Sequence, residues 1–216
     1  CILPGARVGV LVEVNCETDF VAKNDSFRAF SAEVARLLAT DPSTDLEAMR
    51  VQQVAKIGEN IKIARSRRFE VNGIGMLAAY IHTGSKVGVL VEVGAEKEAT
   101  LGNEDFKQLV KDITLQVAAA SPLAVQREQI DPAVVSKERE IAAEQVKGKP
   151  PQAIAKIVEG KLEKYYQTVC LVDQGFLKRN SEITVREHVA NIGRQVGDTI
   201  LIHRFLRFQV GEAVGA

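Results

Sequence analysis

Three histidines, His82, His188 and His203, and three cysteines, Cys1, Cys16 and Cys170, are the side chains best suited to hold a soft metal. None stands at ligand spacing from another, so a zinc site is not expected. Cys16 follows an apolar run without a local base, which reads as a small buried thiol rather than a nucleophile. Gly84-Ser85-Lys86 has the form of the end of a phosphate loop. The upstream glycine is missing, however, and a strand follows where a helix N-terminus would be needed. Direct nucleotide binding by this chain is therefore not expected, and neither a metal nor a cofactor is implied. Lys62, Arg65, Arg67 and Arg68 form a basic cluster. Alternation along a strand sends Arg65 and Arg67 to one face and Lys62 and Arg68 to the other. A split patch of this kind reads as a solvated surface, not an RNA site.

The segment Asn15-Cys16-Glu17-Thr18-Asp19-Phe20-Val21-Ala22-Lys23 differs from these. It is polar, carries one large aromatic, and lies between an apolar strand and a helical pattern. On such a loop Phe20 either projects outward as an interface anchor or tucks onto the core while Thr18 or Asp19 caps a helix. The residues alone leave both readings open.

The elements that hold this loop are duplicated. Arg7-Val-Gly-Val-Leu-Val-Glu-Val14 recurs as Lys86-Val-Gly-Val-Leu-Val-Glu-Val93, 79 positions later. The match continues without a gap, with 11 identities between positions 8 and 39. Two copies of one unit suit a pseudo-symmetric pair better than a solenoid, which needs at least about three repeats. Each copy reads as strand, loop and helix. Val8–Val14 is aliphatic and β-branched, as a well-covered strand is. Asn24 or Asp25 caps the helix that follows. Its apolar face is Phe27, Phe30, Val34, Leu37 and Leu38, and the second copy's is Phe106, Leu109, Val110, Ile113 and Val117. The second copy replaces the polar loop with Gly94-Ala-Glu-Lys-Glu-Ala-Thr-Leu-Gly102, which places the function in the first loop alone.

A further helix is expected from about Asp45 to Ile57, closed by Gly58. Residues 61–71 and 74–82 read as strands, and Asn72-Gly73 between them is a hairpin signal. With the strand at 87–93 they would form a three-stranded meander. Asp131-Pro132 opens a helix, and Gly148-Lys149-Pro150-Pro151 separates it from a second one bearing Ile154, Ile157, Val158, Leu162 and Tyr165 on one face. This antiparallel helical hairpin lacks a counterpart in the first copy. Thr184-Val-Arg-Glu187 is a capping box for a helix ending by Gly193, and Thr199–Phe208 is a final strand. The expected fold class is α+β: two related subdomains with small antiparallel sheets packed by helices, plus the inserted hairpin. The expected division is an N-subdomain over 1–71, a C-subdomain over 72–130 and 167–216, and the insertion over 131–166.

Composition sets outer limits. Lys plus Arg and Asp plus Glu are both 28, and the zero formal charge argues against a duplex DNA partner. No apolar run approaches about 18 residues, so no membrane span is expected. An odd, widely spaced set of cysteines fits reduced thiols in a cytoplasmic protein. The chain opens on Cys1 rather than Met, without a signal-peptide pattern, which suggests a piece of a longer product.

Val14-Asn-Cys-Glu-Thr-Asp-Phe-Val-Ala-Lys23 resembles the signature of the bacterial elongation factor Ts family. Lys56-Ile-Gly-Glu-Asn-Ile61, Tyr80-Ile-His82, Gly148-Lys-Pro, Ile157-Val-Glu-Gly160 and Arg204-Phe-Leu-Arg-Phe208 match further family segments in order. The resemblance covers essentially the whole chain. It implies a guanine nucleotide exchange factor, not an enzyme, whose partner is GDP-bound elongation factor Tu. It implies partner contacts from Asn15, Cys16, Glu17, Thr18, Asp19, Phe20 and Val21, with Phe20 as the wedge near the partner's magnesium and Asp19 as a polar anchor. Ile57 and Gly58 would flank the wedge, and His82 would reach the partner's β-barrel domain. Against this resemblance, the family's usual N-terminal helical module is expected to be missing, the C-terminal helix of some members is expected to be missing or cut short after Ala216, and Thr83 stands where glycine is common. The C-subdomain or the hairpin would be the surface for any homodimer.

Overall fold

The computed structural model describes residues 1–148 and 150–212. Its first unit begins with strand β1, Val8–Asn15. Val10 packs on one face with Phe27, Phe30, Val34 and Leu38, while Leu11 packs on the other with Leu77 and Leu90. A strand covered on both faces accounts for its unbroken apolar sequence. One helical turn, α1 at Asp19–Ala22, precedes helix α2 at Asp25–Thr40. The Asn24 side chain caps α2, accepting from the Ser26 N–H at 2.8 Å. Helix α3, Glu47–Ile57, stops at Gly58, whose φ of 83° is the left-handed conformation glycine adopts without a Cβ penalty. Strand β2, Lys62–Glu70, then pairs antiparallel with β1, with a bulge at Glu13/Val14.

The second unit repeats this plan. Strand β3, Gly75–Ile81, pairs with β4, Val87–Ala95. Helix α4 covers Glu98–Leu101, and α5 covers Glu104–Ala120 behind an Asn103 cap. Strand β4 and helices α4 and α5 each begin 79 positions after β1, α1 and α2, respectively. Helix α6, Pro132–Glu144, and helix α7, Pro151–Val169, form the hairpin. They share an apolar cluster of Ala142, Val146, Val158 and Leu162. Lys149, between the two helices in sequence, lies outside the described residues. Helix α8, Val185–Val196, precedes β5, Ile200–Gln209, which pairs antiparallel with β4.

The two sheets, β1-β2 and β3-β4-β5, face each other through Leu11, Val71, Leu77, Leu90 and Phe208. Helices α2 and α3 cover the outside of the first sheet, and α5 and α8 cover the second. The class is α+β.

Three expectations are corrected. Strand β2 does not join a meander with β3 and β4, because the chain crosses between sheets at 71–74. A two-residue type I′ turn needs positive φ at both central residues, and in Asn72-Gly73 only Gly73 has it, at 90°. Gly84 and Ser85, at 88° and 56°, make the tight β3–β4 turn instead. Helix α8 does not end by Gly193 but runs to Val196 and closes at Gly197. Gly193 serves close packing, since a Cβ there would stand 2.8 Å from the Asp198 carbonyl oxygen. Finally, Arg65 does not belong to a solvated face. It binds the buried Glu13 carboxylate through Nε at 2.6 Å.

Candidate functional site

The signature loop leaves β1 at Asn15, whose Nδ2 donates to Glu13 Oε1 at 3.0 Å. The Cys16 thiol donates to the Thr18 carbonyl at 3.3 Å. Burial pushes that thiol up, and the Glu59 carboxylate adds to the effect. A raised thiol carries little thiolate at neutral pH, which removes the basis for nucleophilic chemistry. Thr18 takes the capping role, with Oγ1 accepting from the Val21 N–H at 3.3 Å. Val21 then turns into the apolar cluster beneath α2.

Phe20 sits between those two fixed residues and is 88% exposed. The ring therefore projects outward, as the first reading of the loop expects, and the capping expected by the second is present as well. Thr18 caps a helix, yet the phenylalanine does not tuck onto the core. An aromatic ring left in water while its neighbours are anchored is unusual for packing and common for a binding anchor. Glu17 and Asp19 flank it, both exposed.

Two other segments converge on this loop. Ile57, at the end of α3, packs in the same cluster as Val21 and Cys16. Gly58 turns the chain so that Glu59 meets Thr18, accepting from its N–H at 3.1 Å and its hydroxyl at 2.6 Å. From the second unit, Lys86 Nζ lies 3.4 Å from Asp19 Oδ1. The β3–β4 turn thus sits beside the loop, and it begins at His82, whose N–H donates to the Val87 carbonyl at 2.9 Å. His82 is exposed, with Nδ1 and Tyr80 Oη sharing a hydrogen bond of 3.0 Å. Neighbouring Ile81 is 54% exposed. Phe20, Ile81 and His82 are thus exposed on the loop and turn that the Asp19–Lys86 contact brings together.

A scan against protein-family models matches residues 17–212 to the family described as elongation factor TS. The chain belongs to the elongation factor Ts family. Among named relatives, elongation factor Ts of Lawsonia intracellularis is 36% identical, over 98% of this chain and 78% of its own length. Elongation factor Ts of Symbiobacterium thermophilum is 38% identical, over 97% of this chain and 72% of its own. That of Halothermothrix orenii is likewise 38% identical, over 96% and 71%. The family places the chain among the translation elongation factors. Among the described residues no helix is long and apolar enough to cross a membrane.

Sequence reading missed Glu59 and Lys86 as parts of the site. Glu59 lies inside the quoted Lys56–Ile61 segment, and a comparison with Gly197-Asp198 would have singled it out. Lys86 was set aside with the phosphate-loop reading. Its alignment with Arg7 in the duplicated strand gave no hint that it faces the other unit's loop.

Proposed function

We propose that this chain is a guanine nucleotide exchange factor that binds GDP-bound elongation factor Tu and speeds GDP release. Family membership supports the partner, and the exposed Phe20 on an otherwise anchored loop carries the mechanism. Phe20 enters the partner near the magnesium that bridges protein and phosphates. Mg²⁺ is among the largest local charges in such a site, so disturbing its surroundings weakens nucleotide binding. Asp19 anchors beside the wedge, Ile57 and Gly58 flank it, and His82 reaches the partner's β-barrel domain. Asn15, Cys16, Glu17, Thr18 and Val21 frame the same contact.

Exchange factor and nucleotide weaken each other's binding reciprocally, as any thermodynamic coupling requires. No bond is made or broken, so the activity is not enzymatic in the chemical sense. This chain holds no nucleotide of its own, and its place of work is the cytoplasm, where its partner meets GTP.

The test is the release rate of fluorescent GDP from bacterial elongation factor Tu, with and without this chain. Acceleration that disappears with Phe20→Ala is the expected result. Wild-type protein without effect at saturating concentration would overturn the proposal.

A further inference from the structure

The duplication extends beyond the constant-offset repeat. Gly58 and Gly197, Ile61 and Ile200, Ile63 and Ile202, Arg65 and Arg204, Arg68 and Arg207, and Phe69 and Phe208 are identical pairs, each 139 positions apart. The second block of the unit, α3 with β2, therefore recurs as α8 with β5. The insertion between blocks in the second copy changes the offset from 79 to 139. At this spacing Glu59 corresponds to Asp198.

Both acids do the same work. Each follows a left-handed glycine that closes a helix, with φ of 83° at Gly58 and 68° at Gly197. Each turns its carboxylate onto the loop that follows the duplicated strand, β1 or β4. Glu59 takes the N–H and hydroxyl of Thr18, at 3.1 and 2.6 Å. Asp198 takes the N–H of Lys97, which aligns with Thr18, at 3.0 Å, and the hydroxyl of Thr100 at 2.5 Å. The loops so held differ at one telling place: position 20 is phenylalanine, and its counterpart Ala99 has no ring to present.

We infer that Glu59 is the positioning residue of the exchange loop, fixing Thr18 so that the one-turn helix α1 presents Phe20 in a binding-ready orientation. This rests on the exchange reading of Phe20. The physical reason is preorganisation. A loop already ordered in its bound form does not spend binding energy on ordering, so more of that energy reaches the partner's nucleotide site. Charge-assisted acceptance by a carboxylate is stronger than a neutral bond. Thr18 Oγ1 both donates to Glu59 and accepts from the Val21 N–H. Thr18 and Val21 are thus held on either side of the wedge residue. Asp198 supplies an internal control, because it spans an equivalent loop without a wedge.

The experiment compares Glu59→Ala, Thr18→Ala, Thr18→Ser and Asp198→Ala in the full chain. Two readouts are taken: stimulated GDP release from elongation factor Tu, and the ¹⁹F linewidth of 4-fluorophenylalanine placed at position 20. Glu59→Ala and Thr18→Ala are expected to reduce stimulated release about tenfold, as the loss of a charge-assisted bond pair implies. They should also narrow the ¹⁹F line as the ring gains freedom. Thr18→Ser keeps both donors and should restore both readouts. Asp198→Ala removes the corresponding carboxylate, which accepts from Glu96, Lys97, Thr100 and Thr199, and should leave the line and the release rate near wild type. If Glu59→Ala and Asp198→Ala behave alike in both readouts, the positioning role is overturned while the exchange function stands. If wild-type chain fails to stimulate release at all, the exchange reading falls, and the linewidths alone then decide whether Glu59 orders the loop. An unfolded Glu59→Ala variant would transfer the decision to the Thr18 pair.

Discussion

Arg65 and Arg204, one from each unit, reach across the molecule in the same way. Each binds its own unit's buried glutamate through Nε, Glu13 at 2.6 Å and Glu92 at 2.7 Å. Each then donates through Nη2 to a carbonyl of the other unit, Gln209 and Glu70, both at 2.9 Å. The guanidinium groups stack on the opposite unit's phenylalanine, Arg65 on Phe208 at 4.1 Å and Arg204 on Phe69 at 4.2 Å. This reciprocal clasp makes the two sheets one body and so fixes the β3–β4 turn beside the Phe20 loop.

Removing Arg65 leaves the Glu13 carboxylate buried without its cation. Arg65→Ala is expected to cost about 3 kcal/mol, the usual result of breaking a buried pair from one side. Arg204 is more exposed, at 47% of its side chain against 15% for Arg65, so water partly replaces it and Arg204→Ala should cost less. Urea unfolding checks both values. An Arg65→Ala loss no larger than that of a surface residue would show that the clasp does not hold the sheets.

The close approach of the sheets depends on another duplicated residue, Gly9 and Gly88. A Cβ at Gly88 would stand 2.8 Å from Leu11 Cδ1, and one at Gly9 would stand 3.1 Å from Leu90 Cδ1 and 2.6 Å from Ile2 Cδ1. Overpacking a filled interior costs about 1–3 kcal/mol, and Gly88→Ala should fall in that range. Gly160 lies within helix α7, and among the described residues no atom comes within 4 Å of where its Cβ would stand. Gly160→Ala should stabilise by roughly 0.5–1 kcal/mol. Thermal melts of the two variants shifting in the same direction would contradict this account.

Much of this was legible in the sequence. A gapless repeat with seven consecutive identities revealed the duplicated strand and helix, because a doubly covered strand tolerates few residue types. Asn24, Gly58 and the Thr184–Glu187 box read correctly as caps, since capping depends on local chemistry. The second repeat block went unseen because the hairpin inserted between α5 and α8 broke the constant offset. The meander failed because Asn72-Gly73 is a local signal. It was overridden by the pairing of β2 with β1, from Asn15 with Lys62 to Val8 with Glu70, a contact between residues far apart in the chain. Arg65 was misread for a related reason. Alternation gives the face of a strand, but not whether a second sheet covers that face. The loop was found by its polarity and its single aromatic, whereas its anchor Glu59 lay in a different segment of the chain.

Phe20→Ala should leave the fold almost untouched. A side chain that is 88% exposed gains little from burial in the free protein, so the change in unfolding free energy should stay within about 0.5 kcal/mol. Denaturant titration beside the exchange assay separates the roles. A loss of several kcal/mol would place the ring in the core and withdraw it from the partner.

Acidification should weaken the second unit through His188. Its ring stacks on buried Phe176 at 4.1 Å, and burial holds its imidazole below the ordinary value of 6.5. Asp112 opposes this shift, while Arg179 and Lys178 reinforce it. The unfolded chain therefore binds more protons than the native one as pH falls through about 6.5, and stability rises with pH in that window. The contribution is fully present above 6.5 and is lost as pH drops towards the depressed native value. Melting temperatures between pH 7.5 and 5.5 should fall for the wild type and fall less for His188→Gln. Equal slopes would show that other groups carry the effect.

Removing the hairpin should leave both sheets folded. Ala142, Val146, Val158 and Leu162 form a cluster of their own, so replacing residues 131–166 by a short Gly-Ser linker takes away an apolar core that the sheets do not share. The cost falls at the hairpin's base. There Arg127 loses both bonds to Glu163, at 2.6 and 2.8 Å, and the Tyr166 ring beneath it. Its bond to the buried Asp173 at 2.6 Å remains, and Arg186 supplies that carboxylate with a second cation at 3.1 Å. The carboxylate therefore stays paired. The shortened protein should keep a single cooperative transition, with helical circular dichroism reduced by the two missing helices. A broad, non-cooperative melt would mean that the hairpin supports the second unit through Val135, Tyr165 and Tyr166, which pack on the cluster of Ala124, Ile130, Val169 and Cys170.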